Sequence, residues 1–289
     1  MNMKSLTTIL ILASLTCCIT ACSQQRTFSS SSFFGSKTIK ASKNYVTKDI
    51  RVDNFANLSV TGSPDVIYTQ KSGKPEVKVY TSDNIVDQLD IYVKNNTLYV
   101  GFKKNIRVSY DKLEVRVSSE QLNGITISGS GDVELANGLK TDNLKISIAG
   151  SGDFDGNNIS CTDLNLSIAG SGDIESKHID CNNIKVAIAG SGDVKLNDVK
   201  AAFSKVSVAG SGTVVLSGST QEAEYSVAGS GDLFASDFVA KKVSASVFGS
   251  GDIKCHATDF LKVRTSGSGS VGYKGNPELD YLKKGLYKL

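Results

Sequence analysis

The sequence has no tryptophan, only three prolines and only two histidines in 289 residues, and neither sign of charge dominates. Glycine, by contrast, occurs 27 times, which predicts many tight corners. A hydrophobic content of 40% excludes a disordered chain. Residues 1–21 carry one lysine and no acid, so without them the basic excess falls to +2. So weak an excess gives no reason to expect a nucleic-acid partner.

The sequence also lacks a long hydrophobic run. The apolar run Leu6–Leu15 follows Lys4 and is too short to span a bilayer as a helix, so residues 1–21 are predicted to be a signal peptide. The run Ile19-Thr20-Ala21-Cys22 resembles a bacterial lipobox. That resemblance implies cleavage before Cys22 and acylation of this residue, which would anchor the protein in a membrane. A plain secretory signal with an incidental cysteine is the alternative.

Residues 22–43 are rich in serine and other polar residues, so they are predicted to form a flexible tether. No acidic residue occurs between Cys22 and Asp49. Lipoproteins exported to the surface of Bacteroidetes-like bacteria tend to carry acids directly after the lipidated cysteine. The sequence therefore favours an outer-membrane lipoprotein that faces the periplasm over one exposed on the cell surface.

Residues 44–120 alternate apolar and polar side chains, which predicts β-strands. Asn95 and Asn96 tolerate positive φ, so they suit a hairpin turn between two such strands. The stretch 57–68 matches the later repeat in its apolar positions and in Gly62. We predict that it is an early rung, interrupted by an inserted antiparallel sheet.

The rest of the chain is dominated by one repeated motif, Gly-Ser-Gly-Asp. The first glycine of the motif returns in steps of 18 to 21 residues, which indicates one structural unit per copy. These glycines are Gly129, Gly150, Gly170, Gly190, Gly210, Gly229, Gly249 and Gly267. The fourth position is filled by Asp132, Asp153, Asp173, Asp193, Asp232 and Asp252, and by Thr213 and Ser270 in two copies.

Each unit contains three short apolar runs. One run precedes the corner, as in Leu144, Ile146 and Ile148; a second follows the corner, and a third begins nine residues after the glycine. Such a unit buries too little to fold alone, so units must stack. Parallel stacking of three strands per rung, with the right-handed crossover preference, predicts an all-β, right-handed parallel β-helix over 121–275. Residues 276–289 would form a C-terminal cap or tail.

These motifs together resemble a known family. Repeated Ile-Ala-Gly-Ser-Gly-Asp blocks, the upstream segment Leu58-Ser59-Val60-Thr61-Gly62, the closing Tyr273-Lys274-Gly275-Asn276-Pro277 and the lipobox are similar to the head GIN domain, putative auto-transporter adhesin family of Bacteroidetes lipoproteins. The resemblance covers about residues 45 to 275. It implies a β-helical extracytoplasmic domain, and it brings no catalytic residues to this chain.

The aspartate column invites two interpretations. Carboxylates one rung apart repel each other, so something must relieve the charge. Each side chain could accept hydrogen bonds from backbone N–H groups of its own corner, in an Asx-type turn; calcium bridging between rungs is the alternative, although Thr213 breaks the column. We predict neither a metal site nor a cofactor.

Cysteines and histidines add no further site. Cys161, Cys181 and Cys255 fall in inward columns and are predicted to be buried free thiols, because stacked side chains seldom reach disulfide torsions. The two histidines, His178 and His256, are predicted to lie on the surface without a role.

One outer face has unusually small side chains. The two outward columns before the corner consist almost entirely of alanine and serine, and their central members are the candidate contact residues. These are Ser147, Ala149, Ser167, Ala169, Ala187, Ala189, Ser207 and Ala209. Small side chains let another layer approach closely, so we expect this face to be covered, either by the inserted strands of residues 70–117 or by a partner, including a second copy of the chain.

The even spacing of the acids along one edge argues against a catalytic cluster in a groove. The sequence therefore predicts a non-enzymatic, lipid-anchored envelope protein with a binding or scaffolding role, adhesin-like, whose ligand is a protein or a glycan. A carbohydrate-active lyase or hydrolase and an envelope-stress sensor domain are the alternatives.

Overall fold

A computed structural model describes residues 38–282 and 284–289, and Thr38–Leu289 form one unit. The signal peptide, Cys22 and most of the expected tether lie outside the described residues. The N-terminal part contains one short helix, α1 Asp83–Val86, and nine strands. These are β1 Thr38–Lys40, β2 Tyr45–Ile50, β3 Asn57–Gly62, β4 Asp65–Gln70, β5 Glu76–Ser82, β6 Leu89–Lys94, β7 Thr97–Phe102, β8 Arg107–Ser109 and β9 Leu113–Ser119.

The repeat region and the tail contribute the remaining described strands. These are β10 Gly124–Gly129, β11 Val133–Leu135, β12 Leu139–Lys140, β13 Asn143–Gly150, β14 Phe154–Gly170, β15 Ile174–Gly190, β16 Val194–Lys200, β17 Phe203–Gly210, β18 Thr213–Gly229, β19 Asp232–Gly249, β20 Ile253–Gly267, β21 Val271–Lys274, β22 Glu278–Tyr281 and β23 Leu286–Lys288. The predicted β-helix is confirmed as a β-solenoid of about eight turns, with stacked parallel coils about 20 residues apart.

Equivalent residues stack in register from rung to rung. On the first side, the strand before each corner, Ile146 pairs with Leu166 and Leu166 with Val186. The second and third sides follow the corner, and several strands run through the bend between sides without a break. Because the side chains of a strand alternate, one column in two points inward and stacks on its own equivalents.

The inward columns form the hydrophobic core. Ile148 and Ile168 are each 2% exposed, and the apolar positions of the second and third sides are buried in the same way. The three-run pattern of the sequence therefore located the core correctly.

The bend between the second and third sides has its own backbone signature. Asn158, His178 and Asp198 occupy one column with φ between 53° and 57°. On the next rung the register shifts, and Gly218, with φ 123°, pairs with Val199 of the neighbouring column. Left-handed backbone is unusual for histidine and is tolerated best by glycine, asparagine and aspartate.

The early rung is confirmed by register. β3 pairs in parallel with β10, so that Gly62 aligns with Gly129, and β4 pairs with β11. The insert stacks on the N-terminal end of this rung. On the first side β7 lies parallel to β3 and carries the antiparallel β6, and on the second side β9 lies parallel to β4 and is followed by antiparallel β5 and β2. Asn95 and Asn96, with φ 50° and 59°, form the expected hairpin turn.

The two ends of the described chain differ, because β1 and β8 form a separate two-stranded sheet whereas the tail joins the coil. β1, which lies within the segment expected to be a tether, pairs in parallel with β8. In the tail, β22 pairs with β20 and β23 with β21, again in parallel. The tail therefore adds a further rung to the stack.

Candidate binding face and the corner ladders

Each glycine corner is bonded to the corner of the previous rung. The Gly150 carbonyl accepts the N–H groups of Ser171 and Gly172, at 2.9 and 3.2 Å, and the same arrangement recurs along the coil. Gly170 has φ 144°, and a Cβ atom added to it would stand 2.2 Å from the Gly150 oxygen. The motif therefore needs glycine at this place for both conformation and space.

The corner aspartates form a second ladder between rungs. The Asp153 N–H donates to Asp132 Oδ1, the Asp173 N–H to Asp153 Oδ1 and the Asp193 N–H to Asp173 Oδ1, each at 2.8 Å. The expectation of a local Asx-type turn was wrong in this respect, because the carboxylate accepts a backbone N–H of the next rung and not of its own. An N–H donor to each carboxylate also offsets the repulsion between stacked charges.

The break in the ladder shows what the carboxylate supplies. Thr213 N–H still donates to Asp193 Oδ1, at 2.7 Å, but Thr213 offers no carboxylate to the next rung. There the Asp232 N–H donates to the Gly212 carbonyl at 3.2 Å. The ladder resumes with Asp252, and it begins at Asp65, whose Oδ1 accepts the Asp132 N–H.

The three cysteines that the structure describes offer no reactive thiol. Cys181 and Cys255 are buried and Cys161 is half-buried, and all three are free. Burial raises the pKa of the Cys161 thiol to about 11, and the pKa values of Cys181 and Cys255 to about 12. Thiols with such pKa values are not nucleophiles at neutral pH.

Other titratable groups are scattered over the surface. His178 is exposed, and its Nδ1 lies 2.8 Å from Asp198 Oδ2 on the neighbouring rung, which lowers the pKa of that carboxyl group. Residues 38–282 and 284–289 contain no group of three His, Cys, Asp or Glu side chains placed to hold a metal ion. No helix among these residues has the length and apolar character needed to cross a bilayer.

The small-residue face is defined here as the two outward columns before the corner from Thr126 to Ala228, and no other part of the described chain covers it. Its members are Thr126, Ser147, Ala149, Ser167, Ala169, Ala187, Ala189, Ser207, Ala209, Ser226 and Ala228, and together they line a shallow groove of about 570 Å³. Ala149, Ala169, Ala189 and Ala209 are exposed, and the column of Ser147 and Ser207 is half-buried. Cover by residues 70–117 was therefore the wrong expectation, because these strands extend the sides of the coil at its end.

The four margins of the face differ in chemistry. One long rim carries Lys145, Lys185 and Lys205, and the other is the glycine corner with its aspartates. The ends are aromatic: Phe248 continues the exposed alanine column and is 53% exposed, while Tyr99 continues the serine column below Ser59 and stacks on Tyr92 at 5.1 Å.

A second, more polar groove of about 840 Å³ lies beside the start of the third side. β12 is the first strand of the third side, and it pairs with β14 of the following rung. On its other edge no described strand pairs with it, and the side chain of Gln70 occupies that place. Gln70 Oε1 accepts the Lys140 N–H at 2.8 Å, and Gln70 Nε2 donates to the Lys140 carbonyl at 2.9 Å. The sequence analysis missed this residue, because a lone glutamine carries no signal of its own.

The fold and its ladders define a class, the parallel β-solenoids whose 20-residue rungs turn at stacked glycine corners. Within it the chain belongs to the family described as "Putative auto-transporter adhesin, head GIN domain", whose model matches residues 54–212 and 166–277. No curated protein matches the sequence.

Three crystal structures illustrate the likeness. One, of a "putative adhesin" from Bacteroides fragilis, has 32% identity, TM-score 0.52, and covers 86% of this chain and 95% of that one. Another, of a "putative lipid binding protein" from Parabacteroides distasonis, has 28% identity and TM-score 0.67, and the match covers 84% of this chain and 95% of that one. A "putative adhesin" from the same species shares the fold at 24% identity and TM-score 0.69, covering 88% and 97%.

Proposed function

We propose that this protein is a non-enzymatic binding module of the cell envelope, anchored through acylated Cys22 in the outer membrane and facing the periplasm. One observation carries the proposal: none of residues 38–282 and 284–289 covers the small-residue face over its six rungs, although alanine and serine are suited to close contact with another surface. The relatives described as adhesins, and the one described as lipid-binding, support a binding role.

The corner ladders support a structural role for the aspartates. Each carboxylate that continues the ladder has one oxygen engaged with a backbone N–H, and the acids are spread along one edge of the coil. Glycoside hydrolysis typically uses two carboxyl groups that flank one scissile bond, an arrangement different from this evenly spaced column. Binding is therefore the function that this arrangement supports best.

A photo-crosslinking side chain placed at Ala189 in cells tests the binding role. We expect ultraviolet light to yield an adduct at this position and none at exposed Lys195 on the second side. The adduct should disappear when Ser167 and Ser207 are both changed to lysine, with the melting temperature unchanged. A complete lack of adducts at Ala189 would show that the face is simply solvated.

The enzymatic alternative is tested separately with the purified protein. A panel of polysaccharides is incubated with it, and new reducing ends and unsaturated uronic products are measured. We expect no turnover above a buffer control. Steady product formation would replace the binding role with a lyase or hydrolase activity.

A further inference from the structure

We propose that the occupant of the small-residue face is a second copy of this chain, related to the first by a two-fold axis parallel to the coil axis. The inference rests on the proposed binding role of that face. It follows from the area, the charges on the two rims and the aromatic side chains at the two ends.

The area of the face suits a modest but specific dimer. Six rungs at about 4.8 Å each give a length of about 29 Å, and about six residues at about 3.3 Å each give a width of about 20 Å. The face therefore covers about 600 Å² on each copy, or about 1,200 Å² in total. This is the lower limit of stable, specific interfaces.

The rims are complementary in charge only under this symmetry. The lysine rim lies two residues before the serine column, and the corner begins one residue after the alanine column. Rotation about an axis parallel to the coil axis reverses the strand direction and places each lysine rim over the other copy's corner. An axis along the strands would instead stack lysines on lysines, which is unfavourable.

The lysine–aspartate pairing is present in two of the six rungs, because the rim position is Gly124, Asn165 or Glu224 in three others and Thr213 replaces the aspartate in the remaining one. Lys145 and Asp153 belong to one rung, as do Lys185 and Asp193, so a rotation without translation pairs both sets. Among the described residues, neither lysine forms an ion pair, and the Oδ2 atoms of both aspartates accept no side-chain hydrogen bond.

The rung of Lys205 departs from this pairing in a way that agrees with the dimer. Lys205 belongs to the rung in which Thr213 replaces the aspartate, so the second copy would offer it no carboxylate there. This lysine is bound within its own chain instead, with Nζ 2.7 Å from Glu224 Oε2. Glu224 and Asp232 belong to one rung, so the rotation brings Glu224 towards the other copy's Asp232. The ion pair with Lys205 neutralises Glu224 and so reduces the repulsion between these two acids.

The aromatic side chains at the two ends of the face are compatible with the same two-fold rotation. The rotation places the alanine column of one copy over the serine column of the other. Phe248 then lies over the second copy's Ser246, and Tyr99 over the second copy's Gly101. In both rungs a large side chain meets a small one, so the sheets can close without a clash.

The test measures the oligomeric state of full-length protein carrying Cys22→Ala, which keeps acyl chains out of the assay. Sedimentation should give a dimer, with a chain mass of 30.6 kDa. Lys185→Asp should raise the dissociation constant at least tenfold, by placing acid on acid. Lys185→Asp combined with Asp193→Lys should restore the dimer, and Lys241→Asp, away from the face, should leave it unchanged.

Three outcomes would overturn the dimer. The first is a monomer at all concentrations; the second is a dimer indifferent to Lys185→Asp; the third is failure of the reciprocal exchange to restore association in protein that melts normally. If Asp193→Lys impairs folding, Ala189→Lys with Ser207→Lys replaces it and must yield a monomer. The adduct at Ala189 separates the two hypotheses: an adduct to another molecule keeps the binding role and rejects the dimer, and no adduct rejects both.

Discussion

Each corner aspartate links two rungs through a single hydrogen bond. Its side chain is exposed in the middle of the coil, yet its Oδ1 is always the acceptor for the N–H of the residue one rung further on. A residue at this position therefore needs a short side chain with an acceptor oxygen. Thr213 donates its N–H to Asp193 of the previous rung but offers no carboxylate to the next one.

Replacement of Asp173 by alanine should remove this link. The Asp193 N–H then loses its carboxylate acceptor, and we expect the free energy of unfolding to fall by about 1 kcal/mol. Asp173→Asn keeps an acceptor oxygen and should lose less. Chemical denaturation measures both variants; equal midpoints for the alanine variant and the wild type would contradict a stabilising ladder.

The aspartate column should not depend on calcium. Because the N–H donors already relieve the stacked charges, removal of divalent cations by a chelator should leave the melting temperature unchanged. Thermal denaturation with and without calcium measures whether the melting temperature depends on the ion. A melting temperature that rises markedly with calcium would restore the bridging interpretation.

At the scale of the strand and its corner, glycine and the aliphatic columns have separate tasks. The glycine places two N–H groups on one carbonyl of the previous rung, while the strand before it buries alternate side chains. Ile168 belongs to both systems, since its Cγ2 atom lies 3.0 Å from the place that a Cβ on Gly192 would occupy.

Gly170→Ala should break the corner. The added methyl group would overlap the Gly150 oxygen, so the corner must shift, and we expect a loss of about 3 kcal/mol or more. Ser171→Ala, at the exposed neighbouring position, is the control and should change little. If the two variants unfold at the same denaturant concentration, the corner is more adaptable than its geometry indicates.

Ile168→Asp should be severely destabilising, by about 4 kcal/mol or more, because it buries an unpaired carboxylate between rungs. Asn165→Asp, an exposed position of the same strand, provides the matched control. Melting temperatures measured by circular dichroism should separate the two by many degrees. A wild-type melting temperature for Ile168→Asp would reject the inward orientation.

At the scale of the whole molecule, every described strand except β1 and β8 belongs to the one sheet that winds through the coil. The insert lengthens the coil at its N-terminal end, and the tail lengthens it at the other. This leaves the small-residue face free along its length, with rims of opposite charge. Under the proposed anchoring, the coil would present this face sideways to a second copy in the same membrane.

Cys22→Ala tests the proposed anchor. Without acylation, the protein should move from the membrane fraction to the soluble fraction, and its mass should lack the acyl groups. Fractionation and intact-mass measurement check both. Unchanged mass and membrane association would mean that Cys22 is not the lipidated residue.

Much of the fold could be predicted because the repeat constrains it strongly. The spacing of Gly150, Gly170 and Gly190 determines the rung, and the alternation at Leu144, Ile146 and Ile148 determines the inward face. The hairpin at Asn95-Asn96 could be predicted from turn chemistry in the same way. These are local properties, which depend on neighbours in the chain or on an identical unit one rung away.

The tertiary structure decided what depends on non-repeated partners. The sequence alone could not show that Asp173 bonds forward to Asp193, that the insert prolongs the coil and leaves Ala189 exposed, or that Gln70 closes the edge at Lys140. In each case a side chain meets a group brought near only by stacking, and several placements satisfy the same local pattern. The sequence by itself determined the rung and its core, because repetition makes its local preferences add up; the open face arose from the stacking order of the N-terminal strands.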